Sequence, residues 1–153
     1  TGIRIGIAIA KALVFKKDIK MTAMNTLDLL AYETAYKGKI LSLIDARKER
    51  AYYALYENME KISEYSDGEL REFLEKYKED EILFTGDASY IYKEIIEDIM
   101  GSKAKFINKA RVFPRAGILA ERAVDLEEVN SVILEPYYHS KTQAEREKEL
   151  KSK

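Results

Sequence analysis

Two short segments hold the side chains that could take part in chemistry. Asp45 ends an apolar stretch and is followed closely by the charged cluster Arg47-Lys48-Glu49-Arg50. An acid at a strand end could hold a metal ion, but no second acid is spaced to join it, and a charged hairpin tip explains the cluster more simply. The turn Thr85-Gly86-Asp87 could meet a phosphate at a helix start, although Asp87 as a helix cap is the simpler interpretation.

The composition removes several kinds of active site. The chain has no Cys and a single His, His139, which excludes thiolate chemistry, Cys-ligated zinc and multi-histidine metal sites. His139 follows two tyrosines without an obvious partner, so we expect an exposed imidazole. Gly2-x-x-x-Gly6 lacks the Lys-Ser/Thr of a phosphate-binding loop and fits helix packing. We therefore predict no catalytic residue, no metal and no cofactor.

Charge balance and apolar run length limit the partners of the chain. Among 153 residues, 26 Lys and Arg oppose 27 Asp and Glu, giving a formal net charge of −1, which argues against free-standing nucleic-acid binding. The longest apolar run, residues 5–10, is far shorter than the roughly 20 residues that cross a bilayer. No segment resembles a signal peptide, so we expect a cytoplasmic protein.

The first element is a helix predicted over residues 2–15, apolar on nearly all sides. At about 100° per residue, only Arg4 and Lys11 fall on its polar stripe. One flank has the spacing of a helix-packing seam and consists of Ile3, Ile7, Ala10 and Val14. This helix is either a core element between two layers of its own domain, or it leaves this flank for a partner chain.

The rest of the chain alternates between strand and helix patterns. Strands are predicted over residues 20–24, 40–45, 50–56, 59–65, 82–85 and 104–107. A helix is predicted over residues 27–36, capped by Asn25 or Thr26 and stopped by Gly38. Further helices are predicted over 68–77, capped by Asp67, from 87 or 88 onward, and over 114–124. Residues 135–138 are predicted to be extended, and residues 141–153 to form a solvated helix or frayed tail.

The order of these elements indicates the architecture. From residue 39, three strands in a meander are followed by two strand–helix crossovers, which favours a mixed sheet with helices on its faces. We predict an α/β protein with the ribonuclease-H-like topology of sugar kinases and actin-like ATPases.

Several motifs in order resemble the TsaB (YeaZ) family. Residues 1–6, Thr-Gly-Ile-Arg-Ile-Gly, look like the end of its glycine-rich motif, and Asp45-Ala46-Arg47 resembles its hairpin. Thr85-Gly86-Asp87-Ala88, Pro114-Arg115-Ala116 and Glu135-Pro136-x-Tyr138 match later motifs, so that the resemblance covers residues 1 to about 145. His139 is a minor departure from the family pattern.

The resemblance implies a two-lobed, actin-like fold and a role in making threonylcarbamoyladenosine at position 37 of tRNAs that read ANN codons. TsaB proteins are regarded as non-catalytic paralogues that form a heterodimer with the transferase TsaD, are joined by the ATPase TsaE and form homodimers in isolation. Contact with tRNA is then expected only through the complex, and membrane contact is not expected. The alternatives are an actin-like phosphotransferase, a glycoprotease-like peptidase, or a plain interaction module unrelated to tRNA.

The resemblance also bears on the metal site and on the partner interface. The paired metal-binding histidines of TsaD fall on Asn25 and Leu29, and Leu cannot ligate a metal, which favours the non-catalytic paralogue. Because the helices of the first lobe pack against the partner in this family, the interface is predicted at Ile3, Arg4, Ile7, Ala10, Lys11 and Val14.

The resemblance finally predicts how the chain divides. Roughly 65–70 residues, the size of a small lobe, are expected to precede Thr1. The predicted parts are a remnant of the N-terminal actin-like lobe over residues 1–37, a C-terminal ribonuclease-H-like lobe over 38–140 and a charged tail over 141–153.

Overall fold

The computed structural model describes residues 2–138, which form two compact units. One unit holds residues 2–23 and 125–138, and the other is Met24–Val124. Thr1, His139 and the tail over 141–153 lie outside the described residues, so the predictions for them stay predictions, as do the lobe boundaries at 37 and 140. Within residues 2–138, no helix has the length and apolar character that a membrane span requires.

The larger unit is built on a mixed sheet, as predicted. Its strands are β1 (Lys39–Asp45), β2 (Arg50–Glu57), β3 (Glu60–Lys61), β4 (Ser66–Glu69), β5 (Ile82–Thr85) and β6 (Ala104–Phe106). The strand order is β3-β2-β1-β5-β6, and β4 also pairs with β2. Strands β1, β5 and β6 run parallel, whereas β2 is antiparallel to β1. After β4, the chain therefore crosses back and adds β5 beside β1, on the side opposite to β2.

Helices complete both units. They are α1 (Gly2–Val14), α2 (Thr26–Thr34), α3 (Leu70–Tyr77), α4 (Ala88–Ile91), α5 (Lys93–Met100) and α6 (Ala116–Arg122). One core joins α3 and α5 to the sheet, and a second core joins α2 to the opposite face. The predicted arrangement of helices on both faces is confirmed.

The central strand β1 explains why both faces must be covered. Leu41 and Leu43 belong to the core with α3 and α5, whereas Ile40 belongs to the core with α2, and all three are fully buried. Alternate side chains of a strand point to opposite faces, so an apolar residue at nearly every position needs helices on both.

The smaller unit is organised around α1, and none of the residues Gly2–Val14 is buried. The Nζ of Lys11 donates to the carbonyl oxygen of Val132 at 2.9 Å, and the Nε of Arg4 donates to the hydroxyl of Tyr138 at 3.1 Å. The strand predicted over residues 20–24 is wrong in extent, because in the described chain this segment makes only the isolated bridge of Thr22 with Glu128.

The meander differs from the prediction in its third strand. The strand predicted over residues 59–65 is reduced to Glu60–Lys61, because the Ser63 hydroxyl accepts from the Leu55 amide at 2.8 Å in place of a ladder partner. The chain then pairs with β2 again through β4.

The predicted cap by Asp67 is wrong. Asp67 lies in β4 opposite Tyr52, and its Oδ1 accepts from Arg50 Nη2 at 2.7 Å, so its carboxylate is used across the sheet. Helix α3 consequently begins at Leu70, after Glu69, which makes no side-chain cap hydrogen bond.

The predicted end of the second helix is also corrected. Of the two predicted candidates, Asn25 rather than Thr26 caps α2, its Oδ1 accepting from the Leu27 amide. The helix ends at Thr34, before Gly38, because Ala35 takes a left-handed conformation with φ 51°. Helix α6 starts at Ala116, two residues after Pro114, and runs to Arg122.

The β1–β2 loop is the most strained part of the larger unit. Arg47, Lys48 and Glu49 have φ of 66°, 54° and 55°, and none is glycine. Left-handed backbone costs an L-residue with a β-carbon about 1–2 kcal/mol. The loop persists because the Arg50 carbonyl accepts from the Ala46 amide and the Glu49 carbonyl accepts from the Leu70 amide.

We expect Lys48→Gly to raise the free energy of unfolding. Lys48 is exposed and left-handed, so glycine relieves strain at no packing cost, and the gain is about 0.5–1 kcal/mol after the extra chain entropy of glycine is counted. Lys37→Gly is the control, because Lys37 is exposed without a positive φ. Urea unfolding measures both variants, and equal stability changes would contradict the strain at Lys48.

Candidate functional site

The carboxyl ends of the parallel strands β1 and β5 lie side by side and bring the two predicted chemical segments together. Asp45 ends β1, and Gly86-Asp87 follows β5 directly. In open α/β sheets, ligands commonly bind at the carboxyl ends of two neighbouring parallel strands whose following connections run to opposite sides of the sheet. The hydrogen bonds of the two acids therefore decide what this edge can do.

Both carboxylates are engaged by the protein itself. The Oδ1 of Asp87 accepts from the Asp45 amide at 3.1 Å and from the Ala88 amide at 2.8 Å, which confirms the predicted helix cap. The Oδ1 of Asp45 accepts from the Arg47 amide at 2.8 Å and from the Tyr92 hydroxyl at 2.6 Å. Asp45 thus fastens the strained loop to the helical layer.

Gly86 is required by the same edge. Its φ is +89°, and a β-carbon there would overlap the backbone carbonyl of Leu43. The glycine therefore allows the turn after β5 to approach β1 closely, a packing role that accounts for its place in the Thr85-Gly86-Asp87 turn.

Tyr92 is a member of this edge that the sequence did not indicate. It separates α4 from α5, with φ −108° and ψ 23°, where one continuous helix was expected. The pKa of Tyr92 is raised to about 12, mainly by burial and secondly by the hydrogen bond to Asp45.

The positions equivalent to the TsaD histidines have structural roles. Asn25 is the N-cap of α2, and Leu29 is buried. Over the described residues 2–138, no group of three or more His, Asp or Glu is arranged to hold a metal ion.

A buried acid with two arginines lies at the end of α2. The side chain of Glu33 is fully buried, with its Oε1 2.6 Å from Arg115 Nε and 3.5 Å from Arg111 Nε. Arg111 Nη2 also donates to the Glu33 carbonyl oxygen. Sequence reasoning missed this cluster, although Glu33 follows the buried Leu30 by one helical turn.

The predicted interface residues occupy two environments on α1. Ile3 and Arg4 are exposed, whereas the others are half-buried: Ile7, Ala10, Lys11 and Val14. The most exposed apolar side chains instead form the stripe Ile5, Ile9 and Leu13. The structure therefore places the predicted seam beside a second, more exposed apolar stripe.

We expect the folded protein to keep Tyr92 protonated above pH 10, where a tyrosine in the unfolded chain ionises. Because its folded pKa is raised, Tyr92 contributes stability that is complete below pH 10 and is lost as the pH rises to about 12. Tyr92→Phe should remove the part of the alkaline stability loss that falls in this window. Asp45→Asn keeps an acceptor but removes the charge, and should lower the Tyr92 pKa.

Difference titration of tyrosinate absorbance, wild type minus Tyr92→Phe, measures this pKa directly. A difference curve centred at 10 would contradict the role of Asp45 and burial.

Comparison with known proteins identifies relatives of this chain. The family model described as "TsaD: tRNA N6-adenosine threonylcarbamoyltransferase" matches residues 1–148. The chain is 32% identical over 152 residues to the tRNA threonylcarbamoyladenosine biosynthesis protein TsaB of Bacillus subtilis (strain 168), covering 95% of this chain and 66% of that protein.

Solved structures share the fold. YeaZ from Pseudomonas aeruginosa matches with a TM-score of 0.65 and 19% identity, over 90% of this chain and 67% of that one. A Pseudomonas aeruginosa protein described as similar to peptidase YEAZ matches with a TM-score of 0.65 and 20% identity, over 91% of this chain and 68% of that one.

These matches agree with the mixed sheet and confirm the predicted actin-like, ribonuclease-H-like fold. The chain spans about two thirds of the length of the TsaB relative, 66%. The chain belongs to the protein family of the TsaD model and, by the relatives it resembles, to its TsaB/YeaZ group.

Proposed function

We propose that this chain is a non-catalytic partner of a TsaD-like transferase in the formation of threonylcarbamoyladenosine at position 37 of tRNAs reading ANN codons. The name of the Bacillus subtilis relative supports a place in this modification. In this proposal the chain is cytoplasmic, forms a heterodimer with the TsaD-like protein, is joined by a TsaE-like ATPase and forms a homodimer in isolation.

The observation that carries the proposal is the exposure of α1. Ile3, Ile5, Ile9 and Leu13 are between 50% and 61% exposed on a helix without a buried residue. An exposed apolar face of this kind is typical of protein-binding surfaces, which supports the proposal. The proposed interface comprises the residues predicted from the sequence: Ile3, Arg4, Ile7, Ala10, Lys11 and Val14.

The use of the acids supports a non-catalytic role. Asp45 and Asp87 both accept hydrogen bonds that hold the strand ends together, and a carboxylate used in this way is poorly placed as a general base. Asn25 and Leu29 serve as a helix cap and a core residue, so neither side chain is available for chemistry.

We expect Ile7→Glu to weaken binding of a TsaD-like protein by roughly a hundredfold, because an unpaired charge in an apolar contact costs about 3 kcal/mol. The control is Ile91→Glu, which changes an isoleucine that is 56% exposed on α4. Sedimentation of labelled chain with its partner measures both affinities. Ile9→Glu, tested in parallel, reports whether the partner uses the neighbouring stripe.

Two outcomes would contradict the proposal. One is unchanged binding for both Ile7→Glu and Ile9→Glu. The other is tRNA modification by the purified chain with no TsaD-like protein present.

A further inference from the structure

One stretch of the larger unit has a charge composition unlike the rest of the chain. Between Asp98 and Glu121 there is no acidic residue, and five cations occur: Lys103, Lys105, Lys109, Arg111 and Arg115. Because the whole chain has a net charge of −1, the remainder is acidic. A concentration of cations in one segment is the electrostatic signature of a polyanion-binding surface.

The first two lysines of this stretch are already neutralised. Lys103 lies 2.5 Å from a carboxylate oxygen of Glu79, and Lys105 lies 2.7 Å from one of Glu81. Of the remaining three cations, Arg111 and Arg115 both approach the single buried carboxylate of Glu33, and Lys109 has no ion pair among the described residues. The uncompensated charge is therefore confined to the loop from Lys109 to Arg115.

Glu33 forms ion pairs with both arginines. The Nε atoms of Arg111 and Arg115 lie 3.5 Å and 2.6 Å from its buried Oε1, while the two arginine side chains remain 40% and 49% exposed. The terminal guanidinium groups are therefore held at the surface with donors to spare, most of all in Arg115. Planar guanidinium groups fixed in this way match the geometry of phosphate oxygens.

The loop that carries these cations is anchored by buried side chains and presents an aromatic ring. Ile107 and Val112 are buried, the Ile107 carbonyl accepts from the Tyr90 hydroxyl at 2.8 Å, and the Asn108 side chain accepts from the Ala110 amide. Between the two arginines, Phe113 is 67% exposed. An exposed ring among cations is a stacking platform for an unpaired base.

We propose that Lys109, Arg111, Phe113 and Arg115 form an RNA-contacting surface that binds backbone phosphates and stacks an unpaired base. An acidic protein segment could satisfy the cations, but it gives no use to the exposed ring, so the observations favour RNA. The inference rests on the proposed function in one respect: RNA reaches this surface when the chain is assembled with the TsaD-like protein.

The test measures the affinity of the reconstituted assembly for an unmodified anticodon stem-loop RNA. Lys109→Gln should weaken binding and reduce the salt slope by about 0.7, the value of one phosphate contact in a single strand. Phe113→Ala should weaken binding about tenfold through lost stacking and leave the salt slope unchanged. Both side chains are exposed and contact neither Glu33 nor a core, so both variants should fold.

Lys103→Gln is the matched control, since it removes the same charge from the same acid-free stretch at a lysine that is already paired. It should leave RNA affinity nearly unchanged. Arg115→Gln is a stronger variant, and thermal unfolding must first establish that Glu33 tolerates the loss of its partner.

Three results would overturn the inference: equal weakening by Lys103→Gln and Lys109→Gln, unchanged affinity in both Lys109→Gln and Phe113→Ala, or equal competition by polyglutamate with no effect of Phe113→Ala. If no assembly forms, the proposed function fails, and the same variants are then compared as free chains at low salt. Weaker RNA binding by Lys109→Gln and Phe113→Ala would still support the surface there.

Discussion

Strand β1 is paired on both edges and covered on both faces, and the larger unit depends on this fourfold enclosure. It pairs with β2 along its whole length on one side and with β5 on the other. Because Ile40, Leu41 and Leu43 are fully buried, α2 must cover one face, and α3 and α5 the other. The positions of α2, α3 and α5 follow from this strand.

The same enclosure closes the edge at which related folds place their ligands. Gly86 brings the turn after β5 against the Leu43 carbonyl, and Asp87 then accepts from the Asp45 amide. Tyr92 adds a third contact by donating to Asp45. The Asp45 and Asp87 side chains that could have taken part in chemistry thus accept hydrogen bonds that hold the strand ends together.

The sequence predicts what periodicity controls and misses what depends on partners distant in the chain. The apolar runs of β1 and β5 and the cap at Asn25 follow from local pattern, and all are confirmed. Asp67 has the residue type of a helix cap, but its carboxylate accepts a hydrogen bond from Arg50, which lies on the neighbouring strand two positions from the residue opposite Asp67. Likewise, Ala35 ends α2 in a left-handed conformation that its residue type does not favour. The predicted stop, Gly38, lies three residues beyond this end.

The candidate sites divide in the same way. The exposed face of α1 is readable from the sequence, because a helix that is apolar on nearly all sides cannot be covered by a single neighbour. The basic loop could be predicted only in part. The absence of acids between Asp98 and Glu121 is plain in the sequence, but the pairing of two arginines with Glu33 is not. Burial of the half-exposed Ile3, Ile5, Ile9 and Leu13 would contribute only about 3–7 kcal/mol, given roughly 1.5–3 kcal/mol for complete burial of each. Because association costs about 4–15 kcal/mol, this stripe cannot by itself sustain a tight complex. A partner that binds α1 must therefore gain its affinity from additional surface as well. Val132, whose carbonyl oxygen accepts from Lys11, and its neighbour Ile133 belong to the same unit and offer such apolar surface, being 81% and 73% exposed.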